Sequence, residues 1–255
     1  MSMWVNNESF LLEGERLDSL DYKGMMLIQK KGEFCFGTDS VILSSFARVK
    51  KNESCIDMGA GSGVISVLLH ARTLCRVTAV EVDPDQCGRL KRTCEYNGIG
   101  ECVTVQNLDY IRDTELIGRG KFDAAVCNPP YFRTDCGELS RNYGATHEVN
   151  ADIPSIAKAA AALLRYGGKF FLCFPAQRLS EAFTALTQAE LEPKRLRLVR
   201  SKRVKPPYLA LIEAKSGAKP GLTIEDELII HGENGEYTEE LRQIYHLDSE
   251  NGRNE

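Results

Sequence analysis

The chain has 255 residues, a formal net charge of −4 and a hydrophobic fraction of 43%, which is ordinary for a globular protein with a sizeable core. It holds no run of about 18 apolar residues, and its first residues lack the basic and then apolar pattern of a signal peptide, so we expect neither a membrane span nor secretion. The nine cysteines form no C-x-x-C pair, and the four histidines are scattered. We therefore expect reduced thiols, a cytoplasmic location and no metal site.

The length fits one main domain with additions. We expect residues 1–50 to be an N-terminal extension that packs on a main domain over residues 51–247. Residues 248–255 are expected to form a disordered tail. No internal repeat is visible.

A glycine-rich turn joins a predicted strand to a predicted helix. Ser54–Met58 reads as a buried strand, Gly59–Gly63 follows, and the apolar stretch Val64–Leu69 begins the helix. Glycines at such a turn adopt positive φ and let a ligand approach the backbone. The free N–H groups at the helix start attract a carboxylate or a phosphate. The G-x-G-x-G spacing departs from the dinucleotide fingerprint G-x-G-x-x-G.

Acidic residues follow in the next two predicted strands. Glu81 lies near the end of the strand Arg76–Val82, at the distance beyond the glycine turn where a ribose is held through its hydroxyls. Asp109 follows the strand Val103–Leu108, where a carboxylate also suits a helix cap. Because the carboxyl ends of parallel strands meet at one edge of a sheet, we expect these groups to line one ligand site.

The tetrapeptide Asn128-Pro129-Pro130-Tyr131 follows a fourth predicted strand, Phe122–Cys127. Proline carries no backbone N–H, and it holds the preceding Asn128 extended, so this turn is rich in carbonyl acceptors. Tyr131 adds a flat ring on which a planar group can stack. Such a turn suits a planar molecule that bears an –NH2 group; the alternative is an ordinary proline-rich turn at a strand end.

Beyond this turn, strands and helices continue to alternate. The predicted elements are a helix over Ile153–Arg165 that ends at Gly167-Gly168, a strand over 169–174, a helix over 178–189, and two last strands over 195–200 and 208–214. The pattern predicts an α/β fold with a mostly parallel, seven-stranded sheet, a C-terminal antiparallel hairpin and helices on both faces.

Together these motifs resemble those of class I S-adenosylmethionine-dependent methyltransferases, which have a Rossmann-like sheet. In that family the Asp-x-Gly-x-Gly-x-Gly segment, here starting at Asp57, holds the methionine end of the cofactor. The acid after the second strand holds the ribose, and the acid after the third contacts the adenine. Asn-Pro-Pro-Tyr marks the members that methylate amino or amide nitrogens. The resemblance implies S-adenosyl-L-methionine as cofactor, with contacts from Thr38, Asp57, Gly59, Ala60, Gly61, Gly63, Glu81, Val82, Asp109 and Asn128. It implies catalytic roles for Asn128, Pro129, Pro130 and Tyr131.

Two flanking segments resemble a narrower group, the bacterial tRNA adenine-N6 methyltransferases. Gly37–Asp39 opens a predicted helix over Val41–Arg48, although Thr38 or Asp39 also suits an N-cap. Leu228–Gly232 resembles the C-terminal part of that group. Its known representative methylates the adenosine beside the anticodon of valine tRNA. The resemblance covers nearly the whole chain and implies N6-methylation of a tRNA adenine; residues 132–149 receive no role.

Three alternatives share part of this pattern. A protein methyltransferase that acts on a glutamine amide of release factors also receives a planar –NH2 group, but that family usually carries a helical N-terminal domain, and only a short stretch precedes Ser54. An rRNA guanine-N2 methyltransferase more often has Phe at the fourth motif position. An RNA-binding module with a vestigial cofactor site is disfavoured by the intact Glu81, Asn128 and Tyr131.

Basic residues are concentrated near the last predicted hairpin, although the chain as a whole is acidic. This basic stripe consists of Lys194, Arg195, Arg197, Arg200, Lys202, Arg203 and Lys205. Such a stripe suits RNA phosphates, or it is an ordinary solvated face. We predict RNA contacts from Arg133, Arg200, Lys202 and Arg203. The expected partner is tRNA, with no membrane and no metal, and the oligomeric state stays open.

Overall fold

The computed structural model describes residues 10–32, 37–130 and 152–247, so the predicted tail over 248–255 lies outside the described residues. The strands are β1 (Glu15–Ser19), β2 (Met26–Lys30), β3 (Ser54–Met58), β4 (Arg76–Glu81), β5 (Val103–Asn107), β6 (Phe122–Cys127), β7 (Leu164–Pro175), β8 (Leu191–Arg200), β9 (Leu209–Ser216), β10 (Thr223–Ile224) and β11 (Leu228–Ile229). The helices are α1 (Thr38–Phe46), α2 (Val64–Thr73), α3 (Pro84–Tyr96), α4 (Thr114–Ile117), α5 (Ile153–Leu163), α6 (Leu179–Gln188) and α7 (Glu239–Tyr245).

The main sheet has the order β5-β4-β3-β6-β7-β9-β8. Strands β3 to β7 pair in parallel, and β9 is antiparallel to both β7 and β8. The predicted mostly parallel sheet with a C-terminal antiparallel hairpin is therefore observed. Two short strands, β10 and β11, pair in parallel with β8 and extend the seven predicted strands to nine in this sheet, within the described residues. Because β8 runs in the same direction as β7, its carboxyl end lies at the edge where the other parallel strands end.

Helices cover the sheet on both faces, because successive strand residues point to opposite sides. Cys55 belongs to a buried cluster with side chains of α1, α2 and α7. Its neighbour Ile56 belongs to a second cluster with side chains of α5 and α6. Each cluster contains buried residues of the central strands, so the sheet is apolar on both faces. This placement leaves the carboxyl edge of the sheet for polar groups.

The hairpin formed by β1 and β2 was not predicted from the sequence. It is tied to α3 by polar contacts. The Arg92 guanidinium donates to the Glu15 carboxylate at 2.7 Å, and the Ile28 N–H donates to the Thr93 hydroxyl at 3.1 Å. The Met26 N–H donates to the Asn97 side-chain carbonyl at 2.9 Å. These partners lie far along the chain, so local sequence gives little sign of the hairpin.

The predicted extension of α5 to Arg165, ended by a glycine pair, is wrong. The helix ends at Leu163, and Leu164 begins β7 by pairing with Phe122 of β6. Backbone pairing and burial of Leu164 override the local preference for helix. Gly167 has φ +76° and lies within β7, at the register shift between Phe122 and Ala124. The glycine therefore serves an irregularity of the strand and does not cap the helix.

Strand β8 also begins earlier than predicted, at Leu191. Its register shifts between Pro193 and Arg195, so the proline is accommodated at a bulge. Among the described residues no helix is long and apolar enough to cross a membrane. In the same ranges no group of three or more His, Cys, Asp or Glu side chains is placed to hold a metal.

Candidate functional site

The glycine turn, Glu81 and Asn128 lie at one edge of the sheet. Met58 of β3 pairs with Val80 of β4, and Asp57 of β3 pairs with Val126 of β6. The residues that follow these pairs are therefore level with one another. Adjacent strands are about 4.8 Å apart, so Asn128 and Glu81, two strands apart, flank the glycine turn from either side.

The backbone of the glycine turn needs glycine for both conformation and space. Gly59, Gly61 and Gly63 have φ values of +78°, +54° and +89°, in the left-handed region that other residues rarely adopt. A Cβ on Gly63 would lie 2.0 Å from Leu90 Cδ1. The N–H groups of Gly59 and Ala60 both donate to the Val80 carbonyl at 3.0 Å. The turn is thus held against β4, and Gly63 is the N-cap of α2 without any side-chain cap bond.

Glu81 is buried at the end of β4, with 8% of its surface exposed. One carboxylate oxygen accepts from the Gly61 N–H at 2.9 Å. The other accepts from the Asp83 N–H, also at 2.9 Å. A carboxylate has about four acceptor sites, so these two bonds fix its orientation and leave capacity for hydroxyl donors of a ligand.

Asp57 is fully buried directly before the glycine turn. Its Oδ2 accepts from the Ser66 hydroxyl at 2.6 Å, whereas Oδ1 is buried and has no partner among the described residues. Burial raises the pKa of this carboxyl to about 7, the Ser66 hydrogen bond opposes the rise, and the charge of Glu81 adds to it. A buried acceptor without a partner is costly, and a donor from a ligand would remove that cost.

The raised pKa of Asp57 predicts a pH dependence of stability. A carboxyl with a folded pKa of about 7 and an unfolded value near 3.9 contributes stability below pH ~4 that is lost as the pH rises through ~7. The free energy of unfolding should fall by up to about 1.4 kcal/mol per pH unit in that window. Urea titrations of the wild type and Asp57→Asn isolate the effect, because all other groups are shared. If the free energies of unfolding of the wild type and Asp57→Asn change in parallel from pH 4 to 8, the raised pKa of Asp57 is contradicted.

Asp109 lies after β5 and binds its own turn. Its Oδ1 accepts from the Ile111 N–H at 2.8 Å and the Arg112 N–H at 3.3 Å. Its Oδ2 pairs with the exposed Arg112 guanidinium at 3.4 Å. Asp109 thus stabilises a turn and does not cap a helix, because α4 begins at Thr114 with Asp113 as its N-cap. An adenine contact of Asp109 stays a prediction. Val82, which was also predicted to contact the cofactor, follows β4, and its backbone carbonyl accepts from the Asn107 side chain at 2.8 Å.

Asn128 is half-buried, and its amide nitrogen donates to the Ser40 hydroxyl at 3.0 Å. Pro129 is buried and Pro130 is exposed. The nitrogen end of the amide thus faces α1. Tyr131 and Arg133, predicted to stack a base and to contact RNA, lie outside the described residues.

The first turn of α1 contacts three separate elements. Gly37 is its N-cap, with no side-chain cap bond, so neither Thr38 nor Asp39 has the capping role. Thr38 hydrogen-bonds the Tyr245 hydroxyl of α7, and Asp39 accepts from the Tyr208 hydroxyl at 3.4 Å. Ser40 binds Asn128 as above. Sequence reasoning identified Thr38 but missed Ser40 and Tyr208, whose roles depend on packing between distant segments.

A third residue that the sequence did not indicate, Tyr110, packs against the glycine turn. A Cβ on Gly59 would lie 3.3 Å from the Tyr110 ring. The ring is buried, with 8% exposure, and burial raises the pKa of its hydroxyl, which hydrogen-bonds Cys127. No motif in the sequence includes Tyr110, so its contact with the glycine turn could not be predicted.

Three of the seven residues of the basic stripe, all of them arginines, form ion pairs with acidic residues. Arg195 is buried and pairs with Glu213 and Glu225. Arg197 pairs with Glu240. These ion pairs come from β9 and from the segment after it, which a count of charges along the chain does not reveal.

Arg200, predicted to contact RNA, binds the Glu227 carboxylate through two nitrogens, at 2.6 and 2.9 Å. Lys202, Arg203 and Lys205 are exposed in the loop between β8 and β9. That loop lies at the same sheet edge as Asn128. Of the stripe, this loop therefore presents the cations best placed to meet a large anionic substrate.

The sequence matches the model of one protein family, described as the methyltransferase small domain, over residues 30–190. This is more than half of the chain. The chain belongs to the methyltransferase small domain family. It is an S-adenosyl-L-methionine-dependent methyltransferase, as the motifs indicated.

Curated relatives of this methyltransferase carry the name tRNA1(Val) (adenine(37)-N6)-methyltransferase. The protein from Shewanella sediminis is 27% identical over 81% of this chain and 88% of its own length. The protein from Parabacteroides distasonis is 27% identical over 82% and 87%. An Escherichia coli protein is 26% identical over 95% of this chain and 99% of its own length.

Solved structures share the fold at lower identity. A predicted O-methyltransferase from Agrobacterium tumefaciens superposes with a TM-score of 0.68 at 19% identity, over 82% of this chain and 95% of that chain. The Pyrococcus horikoshii TYW2 protein superposes with a TM-score of 0.57 at 14% identity, over 81% and 73%. The predicted Rossmann-like α/β class is confirmed.

The residues of this methyltransferase fit S-adenosyl-L-methionine. The cofactor brings an ammonium and carboxylate at one end and a ribose with two hydroxyls in the middle. The unpartnered Asp57 oxygen suits a cationic donor, the glycine turn lets a ligand approach the backbone, and Glu81 retains acceptor capacity for hydroxyls. Which residue contacts which group of the cofactor stays a prediction.

Proposed function

We propose that this methyltransferase transfers the methyl group of S-adenosyl-L-methionine to the exocyclic N6 amine of an adenine in tRNA, beside the anticodon of valine tRNA. The relatives named for that reaction align over most of the chain and over most of their own lengths. These relatives are 26–27% identical to this chain. The geometry of the site supports the substrate class separately. Free thiols at the seven described cysteines are in keeping with a cytoplasmic location, where tRNA is modified.

The observation that carries the proposal is the Asn128-Pro129-Pro130 turn beside the glycine turn. The Asn128 amide nitrogen is engaged by Ser40 at 3.0 Å, and neither proline has an N–H to donate. The two prolines therefore present carbonyls and no backbone donors at the sheet edge, one strand away from the residues proposed to bind the cofactor. A planar –NH2 group, whose two N–H bonds are donors, is the complementary substrate.

Bound S-adenosyl-L-methionine supplies a methyl group already activated by its sulfonium. The protein has to place the amine so that its lone pair lies along the S–C axis. An adenine amine is conjugated with the ring and is a poor nucleophile. If the Asn128 carbonyl and the Pro129 carbonyl accept both N–H bonds, the nitrogen is drawn toward tetrahedral geometry, and positive charge developing on it is stabilised. The extra proton leaves the nitrogen afterwards, so no strong base is needed.

The predicted role of Tyr131 is to stack the adenine once the base has left the loop stack. RNA bases that are read by proteins are mostly unpaired, as in an anticodon loop. Lys202 and Arg203 are proposed to hold the phosphates of that loop, because their exposed loop shares an edge with Asn128. Arg200 is proposed to support the loop and not to bind phosphate itself, since Glu227 already occupies two of its guanidinium nitrogens.

Phosphate binding by this loop predicts a change in salt dependence. Lys202→Ala with Arg203→Ala should weaken tRNA binding and reduce the slope of log affinity against log salt by about 0.7 to 0.9 for each phosphate that the variant no longer binds. Lys50→Ala with Lys51→Ala is the matched control, because these exposed lysines precede β3 at the opposite edge of the sheet. Parallel salt lines for the wild type and the first variant would show that the loop is a solvated face.

The proposal is tested by incubating the purified protein and methyl-labelled cofactor with unmodified valine tRNA, ribosomal RNA and a release factor. Label in N6-methyladenosine of the tRNA alone supports the proposal. Label in guanine-N2 of rRNA or in a glutamine of the release factor would replace it with one of the other two amine substrates. These alternatives are less favoured, because the relatives described above carry the tRNA adenine name.

A further inference from the structure

The loop between β8 and β9 carries an apolar residue at its tip. Val204 is 86% exposed, the highest value among the large hydrophobic side chains of the described residues. Single exposed hydrophobic residues are common on protein surfaces. The surroundings of Val204 are what distinguish it, since Lys202, Arg203 and Lys205 flank it and are all exposed.

Val204 lies at the third position of a tight turn. The Lys205 N–H donates to the Lys202 carbonyl at 3.0 Å, which closes the turn over Arg203 and Val204. Val204 does not have a positive φ, so this turn position accepts most residues. At 86% exposure, its side chain gains little from packing within the folded chain. The apolar side chain of Val204 is therefore available to a partner outside the folded chain.

The turn is held in place by buried and charged neighbours. The Arg200 guanidinium, itself fixed by Glu227, donates to the Lys205 carbonyl at 2.7 Å. At the far end of the loop, the Tyr208 N–H donates to the Val199 carbonyl at 3.0 Å. The Tyr208 hydroxyl donates to Asp39 on the first turn of α1, next to Ser40, which holds Asn128. The tip is thus presented by an anchored loop that is connected to the amine-acceptor turn.

We propose that Val204 is a wedge that packs against an unpaired base next to the target adenosine and helps to extrude that adenosine from the stack. A nucleic-acid strand supplies both partners that the tip requires, phosphates for the cations and an apolar base face for the valine. Apolar side chains inserted between base steps are a known means of unstacking nucleic acid. This inference rests on the proposed function, because it takes the substrate to be a tRNA loop.

An anionic membrane surface is the competing partner for a basic loop with an apolar tip. The location disfavours it. The tip lies at the same carboxyl edge of the sheet as Asn128. A membrane bound to the tip would cover the edge at which the proposed function places the tRNA loop.

The test uses Val204→Thr, which keeps the shape and β-branching of the side chain and removes its apolar character. Ile224→Thr is the matched control, because Ile224 is 69% exposed on β10 away from the tip. Both enzymes receive a tRNA anticodon stem-loop, once with the target adenosine and once with fluorescent 2-aminopurine in its place. Single-turnover methylation and the fluorescence rise on binding are measured.

We expect Val204→Thr to lower the single-turnover rate about tenfold and to lose more than half of the fluorescence rise, because the polar side chain no longer favours the unstacked base. The salt dependence of binding should be unchanged, because the cations of the loop are retained. The Ile224→Thr variant should match the wild type. A Val204→Thr variant within twofold of a fully active wild type would overturn the inference alone. Failure of the wild type to methylate RNA would overturn the proposed function as well. Binding to phosphatidylserine vesicles that Val204→Thr abolishes, with RNA methylation unchanged, would assign the tip to a membrane and overturn the inference.

Discussion

Replacing Asn128 by alanine is expected to reduce the single-turnover rate about 100-fold or more, with cofactor affinity nearly unchanged. The proposed contact of the Asn128 carbonyl with the amine would strengthen as positive charge develops in the transition state. Rapid-quench measurement of methyl transfer to tRNA, together with calorimetry for the cofactor, separates the two effects. A variant with a near-normal rate would contradict the acceptor model.

The bond between Ser40 and Asn128 provides an internal control for this prediction. Ser40→Ala removes only the partner of the amide nitrogen, so it should slow methyl transfer less than Asn128→Ala does. Ser44→Ala is matched to it, since Ser44 lies one turn further along α1 and its hydroxyl donates to the Val41 carbonyl of the same helix. If Ser40→Ala and Ser44→Ala slow methyl transfer equally, the cause is a general disturbance of α1 and not the loss of the Ser40–Asn128 bond.

Replacing Glu81 by alanine is expected to weaken the affinity for S-adenosyl-L-methionine about 100-fold. Hydrogen bonds to a charged group contribute roughly 1.5–3 kcal/mol, and each 1.4 kcal/mol is about tenfold in affinity. Glu81 also holds the Gly61 and Asp83 N–H groups, so Glu81→Gln, which keeps one carbonyl oxygen, should weaken binding less. Glu101→Ala, at an exposed turn, is the control. Unchanged affinity of Glu81→Ala by calorimetry would remove Glu81 from the ribose role.

The central strands were predicted to the residue. Ser54–Met58 and Phe122–Cys127 are short apolar runs bounded by a glycine turn and by prolines, and both are buried strands with those bounds. Parallel strands bring their carboxyl ends to one edge. For that reason the sequence also predicted that the glycine turn, Glu81 and Asn128 would lie together.

Contacts between distant segments account for what the sequence did not predict. The N-terminal hairpin depends on Arg92 and Thr93 of α3 and on Asn97, the C-cap of that helix. The Ser40 hydroxyl of α1 likewise contacts Asn128, which follows β6. The basic stripe shows the same limit. From the sequence Arg195 is expected to be an exposed cation, yet it is buried against Glu213 of β9 and Glu225, which follows β10.

The most direct test of the proposed function is mass spectrometry of nucleosides from purified valine tRNA. A strain that lacks the gene is compared with the same strain carrying the wild type or Asn128→Ala. We expect N6-methyladenosine to be absent from the deletion strain, restored by the wild type and not restored by Asn128→Ala. An unchanged amount of N6-methyladenosine in valine tRNA of the deletion strain would contradict the account.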